Sequence, residues 1–139
     1  MTIEQLIKDW DLSDDRYDCY HPIKSVEIFN YLLDEDTVKD CEINISKKCN
    51  LIELLPLVNK YLEWFKECEH ELTSYFQEKL GEALPDDWFK NIEVYHFSIT
   101  FDTSNDFGAT ISCGDNILSD HILEFDFEMF QVVDDRLNG

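Results

Sequence analysis

With 139 residues, 44% hydrophobic and 14% aromatic, the chain can bury roughly 70% of its unfolded surface, so it reads as one folded domain over residues 1–139 and not as a disordered tail. Eleven basic against 31 acidic residues give a formal charge of −20, which speaks against nucleic acid and against an anionic membrane surface, since both need clustered Lys and Arg. Such a charge favours a basic protein or a cation.

Thr2 and Gln5 form a capping-box pattern that predicts a short N-terminal helix with Ile3, Leu6, Ile7 and Trp10 as its apolar stripe. A polar approach, "DLSDDRYDCYHP", follows. "SVEIFNYLL", within Ser25 to Leu33, suits either a helix face or a strand, and its β-branched and aromatic content favours the strand. "CEINIS" alternates Cys41, Ile43 and Ile45 with Glu42, Asn44 and Ser46. With "DEDT" as a turn, these two segments predict a hairpin.

From Asn50 the apolar residues recur at three and four, from Leu51 through Leu80. This predicts one long amphipathic helix, with Pro56 placed to shorten or bend its start and Gly81 as its terminating residue. "LPDDWFKNI" predicts a helical turn. The period then drops to two in "IEVYHFSITF", where Tyr95, Phe97, Ile99 and Phe101 oppose His96, Ser98 and Thr100. "FGATISC", "HILEFDF" and "FQVVDD" are three further strands. The expected fold class is α+β: an antiparallel sheet, made of a C-terminal four-stranded meander and an N-terminal hairpin, packed on the long helix.

Chemistry-bearing constellations are sparse. Five scattered cysteines without a Cys-x-x-Cys pair argue against a disulfide framework and a zinc knuckle, and fit a reducing cytoplasm. The start "MTIEQLIKDW" has no basic n-region, and no apolar run approaches a membrane span. His121 is expected inward with Leu123 and Phe125, and His96 outward on its own strand, so no metal site is expected. A Gly-x-Ser-x-Gly elbow, a phosphate-cradling glycine loop and a calcium loop are all missing from the sequence. No catalytic residue and no cofactor is therefore assigned, and a non-enzyme is expected.

The charge is uneven. Residues 101–139 hold nine acidic residues and a single base, Arg136, too little to neutralise the segment internally. In "DHILEFDFEMF", Glu124, Asp126 and Glu128 share one alternation and Leu123, Phe125 and Phe127 the other, which predicts buried aromatics backed by an acidic outer row. The candidate partner-binding residues are Glu124, Asp126, Asp134 and Asp135, with the acidic stretches Asp11 to Asp18, Asp102 to Asp106 and Asp115 to Asp120 as the next places to look.

The segment order over residues 40–139, closing with "SCGDNILSDHILEFDFEMFQVVDDRLNG", resembles small acidic bacterial immunity proteins of polymorphic toxin and contact-dependent growth inhibition systems. The shared elements are Asp120–His121, an alternating strand from Leu123 to Phe127, a turn from Glu128 to Gln131 and a final strand from Gln131 to the terminal Gly139. "EMFQ" stands where an Asp-Gly-like turn is usual. The resemblance implies no active residues: such proteins bind a cognate toxin domain and block it, and where the toxin is a nuclease it is commonly basic. The resulting expectation is an immunity or inhibitor protein, cytoplasmic, whose partner is a basic toxin domain. The alternative is an acidic adaptor or structural interaction domain with another protein partner.

Overall fold

The computed structural model describes every residue except Ser119 and Gly139, and the side chains of all of these but Asn138. Ser119, in the turn expected before the third C-terminal strand, and Gly139, the terminal glycine of the resemblance, lie outside the described residues.

At the N-terminus the Gln5 side-chain carbonyl accepts the Thr2 backbone N–H at 3.0 Å, but the capped element is a single 3-10 turn, Ile3–Gln5. The expected helix does not follow. Leu6–Asp9 is a strand, β1, in which Leu6 is buried and Ile7 exposed, with Trp10 exposed just beyond it. Strand alternation therefore overrides the helical spacing of those apolar residues. The polar approach contains a second strand, β2 (Tyr17–Pro22), antiparallel to β1. Its polar side chains hid it: His21, for example, is satisfied by Asp9 and by the Cys41 carbonyl rather than by water.

The expected hairpin between "SVEIFNYLL" and "CEINIS" is corrected. Val26–Ile28 (β3) and Tyr31–Leu33 (β4) pair with each other as a separate two-stranded sheet. Phe29, at their turn, has φ 58°, a left-handed backbone that costs an L residue roughly 1–2 kcal/mol. Full burial against Phe65, Phe89 and Phe127 offsets that cost. "DEDT" forms a short helix, α1 (Glu35–Val38), because the Asp34 carboxylate accepts the Thr37 N–H at 2.8 Å.

β5 (Glu42–Ser46) buries Ile43 and Ile45 as its alternation requires. The expected long helix is two helices. Leu51–Glu67 (α2) is capped by Asn50, whose side chain accepts the Glu53 N–H at 3.3 Å, and Glu69–Leu80 (α3) ends at Gly81 with φ 73°. Pro56 leaves α2 unbroken; Ile52, whose carbonyl it cannot bond, is on the exposed side. The break falls instead at Cys68, which is buried with non-helical backbone.

β6 (Glu93–Thr103), β7 (Asp106–Gly114), β8 (Ile122–Glu128) and β9 (Gln131–Asn138) follow, each antiparallel to the next. The main sheet runs in the order β1-β2-β5-β6-β7-β8-β9, and among the described residues its one parallel contact is β5 against β6. The fold is thus mixed α/β with a mostly antiparallel sheet. Tyr95 departs from its expected inward parity: the ladder slips between Val94 and His96, so Val94 is buried and Tyr95 exposed.

One face of the sheet carries the core. Tyr61 of α2 packs edge-on against Phe101 and Phe107, Phe65 against Phe127, and Phe76 of α3 against Phe125 and flat on Trp88. Phe65, Phe76, Phe97 and Phe125 are all buried. The opposite face over β6 to β9 carries polar side chains. Among the described residues no helix is long and apolar enough to cross a membrane.

Candidate functional site

On that outer face, Ser98 and Thr100 of β6, Gly108 and Thr110 of β7, and Asp126 and Glu128 of β8 share one parity, directed away from the helices. They line an open trough of about 700 Å³. Its depth has a steric origin. A Cβ on Gly108 would lie 2.5 Å from the Phe127 carbonyl oxygen, so only glycine lets β7 and β8 close up at this point.

Both rims are built by irregularities in the ladders. Between Phe101 and Thr103 the β6–β7 pairing skips Asp102, which accepts a hydrogen bond from the Tyr17 hydroxyl. That bond, reinforced by burial, pushes the Tyr17 phenol above its usual range. Across the trough the β8–β9 pairing skips Val133, leaving it on the outer wall beside Asp134. Among the described residues the lining holds five carboxylates, Asp102, Asp106, Asp126, Glu128 and Asp134, and no lysine or arginine.

Of the four candidate residues, three share this face and one does not. Glu124 pairs with Arg136 across the β8–β9 ladder, Nη2 to Oε2 at 2.9 Å, and the same guanidinium holds Asp126, which also accepts the Thr110 hydroxyl at 2.8 Å. Partial burial would raise the Asp126 pKa, but the Arg136 and Thr110 hydrogen bonds outweigh it and keep the carboxyl below its usual range. The expectation that the lone Arg136 could do little is therefore corrected, because one fork neutralises two of the acidic groups. Asp134 is exposed on the rim. Asp135 faces the helices, where it accepts the Tyr75 hydroxyl at 3.1 Å and lies 3.6 Å from Lys79 Nζ. Burial first, and then this carboxylate, push the Tyr75 phenol up to about 12. The alternation places Asp134 and Asp135 on opposite faces, and the Val133 bulge decides which faces out.

Other chemistry is not gathered here. His96 lies on the outer face with Nε2 3.0 Å from the Asp40 carbonyl, while His121 is exposed ahead of β8 instead of inward. The two do not converge. Among the described residues no group of three or more His, Cys, Asp or Glu is placed to hold a metal ion. The trough carboxylates are thus spread around a rim and not aimed at one point. All five cysteines are free, and burial pushes the thiols of Cys19 and Cys41 up to about 11 and that of Cys68 to about 12, which keeps them protonated.

Nothing periodic in the sequence marks Gly108, Met129 or Val133. A bulge leaves no periodic signal, and a glycine inside a strand, which marks close backbone approach, was the available clue. Comparisons with family models, with curated proteins and with solved structures each find no match.

Proposed function

We propose that this protein is an inhibitor of the immunity type, which binds a basic cognate toxin domain through the outer face of its sheet and blocks it in the cytoplasm. The observation that carries this reading is the trough itself, an open concavity lined by five carboxylates, of which Asp126 is held by Arg136 while Asp102, Asp106, Glu128 and Asp134 form no ion pair among the described residues. Such a surface draws a positively charged domain over distance and suppresses acidic competitors. The reading takes the four C-terminal strands as a meander with its inner face fixed to the helices, so that the outer face is rigid before any partner arrives and little ordering entropy is lost on docking. It assigns no reaction to the chain.

Growth protection provides the test. The basic C-terminal domain of a toxin encoded beside this gene is expressed together with the parent protein, or with the quadruple variant Asp106→Asn, Asp126→Asn, Glu128→Gln and Asp134→Asn. Asp135→Asn, on the other face, is the control. The quadruple variant is expected to lose protection while the control retains it. With purified proteins, association should slow as salt rises, and a carboxylate at the desolvated centre should cost about 2–5 kcal/mol through faster dissociation. A quadruple variant that protects as well as the parent would overturn the reading.

A further inference from the structure

Among the described residues fourteen large apolar side chains are exposed, and of these Met129 and Val133 line the trough. They are 42% and 40% exposed and line it together with the five carboxylates, Met129 from the β8–β9 turn and Val133 from the β9 bulge. Trp10 is more exposed, but Lys8 Nζ lies 3.9 Å from its ring centre and it follows the opposite edge strand, β1.

Met129 carries a second irregularity. It occupies the tight turn between β8 and β9 with φ 50°. That backbone has a local purpose, since the Met129 N–H reaches the Phe107 carbonyl at 2.8 Å and the next residue, Phe130, packs against Tyr61, Trp64 and Phe107. The turn needs a left-handed residue; it does not need a methionine. Glycine or asparagine adopts the conformation at lower cost. Phe29, the other non-glycine residue with positive φ among the described residues, is offset by complete burial. Met129 is left exposed, so burial of its side chain does not offset its backbone in the same way.

We infer that Met129 and Val133 form the apolar centre of the partner-binding face, and that the segment seated there is basic with an apolar side chain set between its cations. The inference rests on the proposed acidic docking face and adds what the charges alone do not supply. Carboxylates at the rim steer and orient, whereas affinity is concentrated where apolar groups are desolvated at the centre. A flexible thioether can lie against an aliphatic side chain of varied shape, and its polarisable sulfur tolerates the nearby charge. Charge complementarity fixes the rest of the occupant: an apolar segment without cations would strip water from Asp106, Glu128 and Asp134 without supplying a compensating charge.

The chain has two methionines, Met1 and Met129, so methyl-13C-methionine labelling of the full protein gives two resolvable reporters. The probes are two ten-residue peptides of equal charge, one of lysine with two central leucines and one of lysine with two central serines. The leucine peptide is expected to bind about tenfold more tightly and to shift the Met129 methyl signal but not that of Met1. Met129→Asn and Val133→Thr should each remove the leucine advantage while leaving the affinity for the serine peptide unchanged. Met129→Asn should also melt no lower than the parent, which separates lost binding from lost folding. Equal binding of both peptides with a still Met129 signal would overturn the inference and leave the acidic-face reading standing. Failure of both peptides to bind would overturn that reading and the inference with it.

Discussion

His21 lies between two groups that can only accept a hydrogen bond, with Nδ1 2.6 Å from the Cys41 carbonyl oxygen and Nε2 2.7 Å from Asp9 Oδ2. Satisfying both requires a proton on each nitrogen, so these two acceptors favour the imidazolium form. Its burial opposes the charge, but the bonds to Cys41 and Asp9, with Glu42 nearby, prevail and raise its pKa above 6.5. A raised pKa contributes stability that is fully present below the unfolded value and is lost as pH climbs through the folded one. Asp9, whose pKa is lowered chiefly by His21, contributes in the opposite sense and is lost only in acid. The thermal midpoint should therefore decline as pH rises above about 6.5, the ordinary histidine value. His21→Gln should flatten that decline; an unchanged slope in the variant would show that the tie carries no charge.

At the scale of elements, legibility followed burial on one face. The alternation in "HILEFDF" gave β8 with Phe125 fully buried and 5.7 Å from Phe76, ring centre to ring centre. Phe125→Ala should cost about 3–5 kcal/mol in urea unfolding, from lost contact and the cavity left behind. A loss below 1 kcal/mol, of the size expected at a surface position, would contradict that packing. Where the sequence misled, a local pattern yielded to tertiary context. The helical stripe runs unbroken through Cys68, since Phe65, Leu72 and Phe76 keep their spacing, yet the helix breaks there and α3 packs its Leu72 and Phe76 against the core. β2 was unreadable because its polar groups find partners inside the fold. The acidic row was legible from parity alone, but the trough was not, because Asp102 and Val133 owe their places to ladder slips that leave no period in the sequence.

Across the whole molecule, 20 more acids than bases make self-repulsion a standing cost of compactness. Most of the basic residues that form ion pairs do so with single neighbours, as Lys24 does with Glu35 and Lys66 with Glu63. Such exposed pairs contribute little. Raising salt from about 10 to about 150 mM shortens the screening length from about 30 to about 8 Å, and the thermal midpoint should rise over that range. A falling midpoint would show that local pairs outweigh long-range repulsion. The parallel ladder of Glu42 to Ile45 against Ser98 to Phe101 has a consequence for assembly in time. The C-terminal strands close on neighbours in sequence, but this seam cannot form until both helices have been made and the chain has returned beside β5. Loop closure over that length is slow compared with a hairpin. During synthesis, a chain that has not yet emerged as far as β6 holds β5 with one edge unpaired, open to strand addition by another chain. Nascent chains are therefore the form most exposed to aggregation, and the trough is complete only once the last strand is in place.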